Sequence, residues 1–326
     1  MRAWQMTSLG AAPILARIEQ PTPRHGEALV RVAAAGLNFA DLLMAEGRYQ
    51  NRPVLPFVPG MEFSGWVEGL GPDTNGPAVG SRVIGVCGTG ALAEYLCMPI
   101  ARLAQMPDAM SMVDGAAFQI AFGTSHLALA HKARLQPGET LFVTGAAGGV
   151  GLTAVAIGKR MGARVIASAR GADKLGIARA AGADILIDSD APDLKEALRD
   201  LGGVDVVYDA VGGPAFDAAL RACKPDGRLL AIGFASGQVP QVPANLLLVK
   251  NLTVTGFWYG GYQDHAPQLV ADSMATLLNW YVDGDLRPHV SHVLPFENLV
   301  EGLDQLRQRT ASGKVVIAVT APDATI

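Results

Sequence analysis

The stretch from Leu141 to Gly151, LFVTGAAGGVG, has the residue types and order of an anion site. Leu141, Phe142, Val143 and Thr144 have strand character and run into a turn of small residues. Beyond it Val150, Ala154, Ile157 and Met161 recur at the spacing of one buried helix face. A strand, a Gly-rich turn and a helix N-terminus aim bare N–H groups and the positive end of the helix dipole at one point. The usual occupant of such a turn is a dinucleotide pyrophosphate. The strict G-x-G-x-x-G spacing falls on Ala146, Gly148 and Gly151, so the first glycine is replaced by alanine and Gly145 stands one place earlier. By itself the stretch is as good a tight structural turn as a nucleotide loop.

A nucleotide loop makes a demand further along. An NAD site places Asp or Glu at the end of the second strand, about 20 residues on, to accept from the ribose 2′-hydroxyl. Here that place reads Ser168-Ala169-Arg170. Arg170 and Lys174 can neutralise a 2′-phosphate and Ser168 can donate to it. NADP(H) is therefore expected over NAD(H). Asp173 lies past the strand end, and the plain alternative makes Arg170 and Lys174 solvated residues of a helix start.

These groups need a scaffold, and the 326 residues suffice for two domains. Half the residues are hydrophobic and 17% are charged, which describes a folded chain. The formal net charge of −4, without a basic run, argues against a nucleic-acid surface. Three cysteines, Cys87, Cys97 and Cys223, suggest no disulfide framework and fit a reducing cytoplasm. The N-terminus lacks the apolar core of a signal peptide. The uncharged run from Leu141 to Gly158 is interrupted by glycines and reads as strand, turn and buried helix, not as a membrane span.

The first hundred residues alternate short strands and turns, with strands expected at Ala28–Ala35, Phe63–Leu70, Arg82–Val86 and Ala93–Met98. Val113 to Ala130 should be helical. From Leu141 to Phe257 strands and helices alternate, ending in a strand at Thr253–Phe257, the pattern of a doubly wound parallel sheet. Helices and two more strands follow, the last at Lys314–Val319. The expected organisation is α/β, with a dinucleotide domain at 123–261 inserted into a barrel-type domain built from 1–122 and 262–326.

Several further motifs resemble the medium-chain dehydrogenase/reductase superfamily, and within it the zinc-independent quinone oxidoreductase branch that includes zeta-crystallin. Gly36-Leu37-Asn38-Phe39-Ala40-Asp41 is similar to its V-N-x-x-D segment, with Arg48-Tyr49 following at the expected distance. Pro59-Gly60-Met61-Glu62 with Gly65 matches its P-G-x-E-x-x-G turn. Gln119 through Thr124 resembles its Q-G-x-T-A segment, although the glycine stands at 123. Gly145-Ala146-Ala147-Gly148-Gly149-Val150-Gly151 is close to the branch's loop, which makes the missing first glycine ordinary. Asp209-Ala210-Val211-Gly212-Gly213 and Ser312-Gly313-Lys314-Val315-Val316 also fit.

The resemblance implies a Rossmann domain, a GroES-like domain and an NADPH cofactor. The loop pattern gives Gly145, Ala147, Gly148, Gly149 and Val150 to the pyrophosphate, and the end of the second strand gives Ser168, Arg170 and Lys174 to the 2′-phosphate; the remaining roles are what the resemblance implies. Asn38 and Thr124 would line the nicotinamide-ribose side of a cleft, near Val211, Gly212 and Phe234 at the sheet's strand ends. Phe257 and Trp258 would close over the nicotinamide. Lys314 would reach a cofactor phosphate or carboxamide. Tyr49, with Asn38, is the candidate for chemistry, hydrogen-bonding the acceptor's oxygen; Tyr259 and Tyr262 on an expected GFWYGGY loop are further candidates.

Zinc members of the superfamily carry a G-H-E ligand pair. Here the position reads Gly60-Met61-Glu62, no cysteine follows Gly36 closely, and His289 and His292 are a poor pair, so no metal is expected. Without a Lewis acid, simple alcohol oxidation loses its driving group. Hydride delivery to a quinone or an α,β-unsaturated carbonyl needs mainly a near-attack geometry. Two rival readings are an enoyl-thioester reductase and a crystallin-like NADPH-binding protein with little turnover. The branch also implies a homodimer through the Thr253–Phe257 strand, whose exposed edge pairing would cover.

Overall fold

The computed structural model describes residues 1–320, so the end of the expected 262–326 segment, residues 321–326, lies outside the described residues. The chain divides into two compact units, Ala121–Ser273 and the segments on either side of it, Met1–Ile120 and the chain from Met274 on.

The flanking unit is organised on one long buried strand, Glu27–Leu37. It pairs antiparallel with Glu62–Leu70, Lys314–Ala318 and Tyr95–Pro99. Its pairing with Glu62–Leu70 shifts register twice, and Tyr95–Pro99 and Lys314–Ala318 pair with its first and last residues respectively, so one strand serves several partners. The seven-stranded sheet continues through Arg82–Val86 to Leu103–Gln105 on one side and through Lys314–Ala318 to Val290–Pro295 on the other. In this order the two outermost strands are not partners. Val290–Pro295 runs parallel to Lys314–Ala318, and the helix Leu299–Arg307 connects them, burying Leu299 and Leu303. Those leucines join Val30, Val32, Phe63 and Val83 in the core. A hairpin of Arg2–Gln5 with Ile14–Arg17, which the sequence pattern did not announce, forms a separate two-stranded sheet tied to this unit by a bridge of Ala3 with Ala93 and by Trp4 in its core.

The Ala121–Ser273 unit is a six-stranded sheet in which every neighbouring pair is parallel. Its order is Ile185–Asp188, Arg164–Ala169, Thr140–Thr144, Val204–Asp209, Cys223–Ala231 and Thr253–Gly256. The chain starts in the middle, winds to one edge, returns and winds to the other. That is the doubly wound Rossmann order, whose ligands lie at the carboxyl ends of the strands where winding reverses. The reversal falls between Thr140–Thr144 and Val204–Asp209. All five residues of Thr140–Thr144 are buried, as a central parallel strand requires. Phe142, Ile166, Val207, Phe216, Leu220 and Leu229 fill the core of this unit.

Two expectations need correction. The single helix expected over Val113–Ala130 is three pieces: Met112–Ala116, Gln119–His126, and a π-helical turn over Leu127–Ala133. Ser111 caps the first by accepting the Asp114 N–H at 3.0 Å, which composition alone could not show. The GFWYGGY segment is not a loop beyond Trp258, because Tyr259–His265 is helical with Tyr259 and Tyr262 buried. A Cβ on Gly260 or Gly261 would stand 2.9 Å from the Trp258 ring, so these glycines admit the indole against the helix.

Candidate functional site

In the Ala121–Ser273 unit the strand Thr140–Thr144 ends in Gly145, whose φ of +59° suits glycine. The turn doubles back at once: Gly148 N–H donates to Gly145 O at 2.9 Å, and Gly148 caps the helix Gly149–Arg160. A Cβ on Gly151 would lie 2.2 Å from Gly145 O, so only glycine allows the helix this close to the turn. Gly148 is exposed while Ala146 and Ala147 are buried, so the turn presents backbone outward and packs its methyls inward. Ala146 N–H donates to Ser168 O at 2.9 Å, which fixes the turn against the next strand end. Such a cradle, open at backbone and closed to side chains, fits a pyrophosphate.

The expected ribose corner follows on that strand. Ser168 is buried, Arg170 is exposed, and Lys174 lies half-buried in the helix Gly171–Ala180. No carboxylate stands at 168–170, but Arg170 Nε is 3.1 Å from Asp190.

Asp209, missed as a functional residue by sequence reasoning, organises the strand ends at the reversal point. Its wholly buried carboxylate accepts from Thr144 Oγ1 at 2.5 Å, Val211 N–H at 3.2 Å and Gly212 N–H at 2.9 Å. Burial pushes its pKa up from the ordinary carboxylate value, and the three donors oppose that. Val211 and Gly212 are thereby pinned, and Ser236 N–H donates to Val211 O, bringing the Phe234 segment onto the same turn. Phe234 is 40% exposed and Trp258 45%, whereas Phe257 is buried against Tyr262, ring centroids 4.9 Å apart. Thr124 is buried next to Ser125, whose hydroxyl reaches Val150 O at 2.9 Å and Tyr208 Oη at 3.0 Å. A Cβ on Gly123 would meet the Tyr259 ring at 2.7 Å, which accounts for the glycine at 123.

The other expected residues lie in the flanking unit, where strand register assembles them. Gly36 pairs with Glu62 and Leu37 with Val315, so Glu62 and Lys314 arrive beside Asn38. The Lys314 ammonium donates to Glu62 Oε1 at 2.7 Å, Asn38 Oδ1 at 2.8 Å and Leu37 O at 2.8 Å. All three of its N–H donors are used inside this unit, and none is left for a cofactor phosphate or carboxamide. Asn38 Nδ2 donates to Glu62 Oε1 at 2.9 Å, and the other Glu62 oxygen accepts Ile120 N–H at 2.9 Å. Asn38 is the N-cap of the helix Phe39–Ala45, and Asp41 in its first turn accepts Asn38 N–H at 2.8 Å. Its second oxygen is buried without a hydrogen-bond partner, and burial pushes its pKa up to about 7, against the pull of Asn38 N–H and Lys314. Cys87 lies under the segment that leads into Glu62, its thiol near Gly60 O and Met61 O at 3.5 and 3.4 Å. Met61 packs with Met6, Met44 and Phe57, and Tyr49 lies against this cluster.

Comparison with known proteins places these units. Residues 24–108 match the alcohol dehydrogenase GroES-like domain and residues 149–276 the zinc-binding dehydrogenase domain. A quinone oxidoreductase-like protein 2 homolog of Nematostella vectensis is 39% identical over 324 residues, covering 97% of this chain and 88% of that protein. The quinone oxidoreductase of Thermus thermophilus, solved also with NADPH, is 34% identical with a TM-score of 0.88, covering 98% of this chain and 100% of that one. The chain belongs to the zinc-independent quinone oxidoreductase branch of the medium-chain dehydrogenases/reductases. An NAD-dependent alcohol dehydrogenase is 31% identical with a TM-score of 0.89, covering 98% of this chain and 100% of that one.

Within this quinone oxidoreductase fold, the place of the zinc members' ligand histidine is taken by the buried thioether of Met61, and Glu62 is committed to Lys314. Among the described residues no three His, Cys, Asp or Glu side chains are grouped to hold a metal, and no helix is long and apolar enough to cross a membrane. The sequence signal that could have linked Glu62 to the distant Lys314 is weak: each is a buried charged residue at the first position of a strand, and only the Lys314 strand is otherwise apolar.

Proposed function

We propose that this quinone oxidoreductase-branch chain is an NADPH-dependent reductase of quinones or α,β-unsaturated carbonyls that works without zinc. The observation that carries the reading is the backbone cradle at Gly145–Gly151 followed by Ser168 and Arg170 where an NAD site carries a carboxylate. Gly145, Ala147, Gly148, Gly149 and Val150 would hold the pyrophosphate, and Ser168, Arg170 and Lys174 the 2′-phosphate. When bound, the cofactor supplies the hydride. Thr124, Val211, Gly212 and Phe234, with Phe257 and Trp258, would orient its nicotinamide end. Asp209 fixes Val211 and Gly212 in place for that task.

Tyr49 would donate a hydrogen bond to the acceptor's oxygen, where negative charge develops. Asn38 has both amide hydrogens committed to Gly36 O and Glu62, so it offers the lone-pair side of its oxygen and a fixed position. Lys314 acts by holding that amide. A quinone or an enone spreads the incoming charge itself, so positioning can carry the reaction.

The same proposal includes a homodimer in the cytoplasm. Among the described residues Thr253–Gly256 pairs on one side only, and the helix Ala244–Lys250 exposes Leu248 and Val249. All three cysteines are free thiols, which suits a reducing compartment. A stable monomer in sedimentation at micromolar concentration would remove the dimer.

The activity is tested by following NADPH and NADH oxidation with an ortho-quinone, a para-quinone, a short enal and an enoyl-CoA in parallel. Turnover of a quinone or the enal, with the lower Michaelis constant for NADPH, is expected. Turnover of the enoyl-CoA alone, or none with any acceptor, would overturn the reading.

A further inference from the structure

The corner that would take a 2′-phosphate holds more acid than base. Arg170 and Lys174 are its cations; Asp173 lies in the first turn of the helix Gly171–Ala180, Asp188 ends the neighbouring strand and Asp190 stands in the turn after it. Asp188 ends the strand Ile185–Asp188, its Cα paired with that of Ala169. One of its carboxylate oxygens accepts Gly171 N–H at 3.2 Å, and the other accepts Asp190 N–H at 3.0 Å. Ser189 N–H adds a bond to Ala169 O at 2.9 Å. These bonds lock the turn after one strand to the turn after its neighbour. They deliver Asp190 to Arg170, whose Nε lies 3.1 Å from the carboxylate. Both side chains are largely exposed, so the turns and not burial bring them together.

A phosphate dianion that uses Arg170 must share the guanidinium with a carboxylate or displace it. A ribose 2′-hydroxyl meets no such competitor, because a carboxylate accepts a hydroxyl proton readily. We propose that Asp190 sets how strongly the chain prefers the phosphorylated cofactor, by occupying Arg170 and so lowering the gain from a 2′-phosphate. The inference rests on the dinucleotide reading above. Asp188 serves as the brace that keeps Asp190 in reach. An exposed ion pair is a weak competitor, so the effect is a graded one: the site accepts both cofactors, and Asp190 narrows the difference between them by about two- to fivefold.

The test uses equilibrium binding of two probes, 2′,5′-ADP and 5′-AMP, measured by calorimetry on wild type, Asp190→Asn, Arg170→Gln and the double variant. Asp190→Asn is expected to tighten 2′,5′-ADP by about two- to fivefold and to leave 5′-AMP unchanged. The gain should vanish in the Arg170→Gln background and shrink at high salt. An unchanged or weaker affinity for 2′,5′-ADP in Asp190→Asn, or an equal gain without Arg170, would overturn the role of Asp190 while leaving the dinucleotide site intact. A wild type that binds neither probe and neither dinucleotide would overturn the site itself and this inference with it.

Discussion

Replacing Lys314 by methionine would expose what the buried network contributes. The lysine side chain is 5% exposed and its Glu62 partner 1%, with Nζ and Oε1 2.7 Å apart. Methionine keeps most of the stem's volume and removes the ammonium. Glu62 would then be a buried carboxylate with two neutral donors, Asn38 Nδ2 and Ile120 N–H, and no cation. Leu37 O and Asn38 Oδ1 would each lose a donor as well. Breaking a buried pair from one side costs about 3–5 kcal/mol, and a domain has on the order of 5–15 kcal/mol in all. Lys314→Met should therefore unfold at much lower urea with an unchanged slope. Adding Glu62→Gln should recover more than half the loss, because the uncompensated charge goes with it. A single variant within about 1 kcal/mol of wild type, or losses that simply add in the double variant, would refute the view that these groups act as one unit.

Asp41 gives a pH signature with a definite sign. Its folded pKa of about 7 lies above its unfolded value of 3.8, so between these the folded state holds a proton that the unfolded state releases. This group's contribution to stability therefore falls as pH rises through that window and is level above it; Asp41→Asn should gain on wild type from pH 4 to pH 8 by up to about 4 kcal/mol in paired urea melts, and a pH-independent difference would count against it. Gly151→Ala would drive a methyl into Gly145 O, costing about 1–3 kcal/mol of stability and weakening 5′-AMP binding, measured by melting and calorimetry. Asp209→Ala frees the Val211 and Gly212 N–H groups, and hydrogen exchange at both amides should speed up while exchange in Thr140–Thr144 stays slow.

What could be read from the sequence was set by local signals. The strand Val204–Asp209 and the alternation around it follow from apolar runs punctuated by glycine, and the cradle follows from a motif within eleven residues of chain. Asn38, Glu62 and Lys314 are different. Nothing in their own segments singles them out as partners, and the motif around Lys314 points it toward a cofactor. Their meeting depends on the pairing of Leu37 with Val315 and Gly36 with Glu62, a register between segments far apart in the chain. Periodicity carries no register between distant strands. Asp190 is silent in sequence for the same reason, since its approach to Arg170 is made by the side-by-side ends of two parallel strands. The helix at Tyr259–His265 is hidden by Gly260 and Gly261, which read as loop formers until the indole of Trp258 gives them a packing reason.

The thiol of Cys87, held under the Gly60 turn, has a consequence for survival in use. Burial pushes its pKa up to about 12, and the thiols of Cys97 and Cys223 are raised to about 11 and 12. Quinones and conjugated carbonyls are alkylating agents, and the nucleophile that adds to them is the thiolate. At neutral pH this chain offers almost none. An enzyme for such acceptors would in that way be spared from becoming covalently tagged by the compounds it handles.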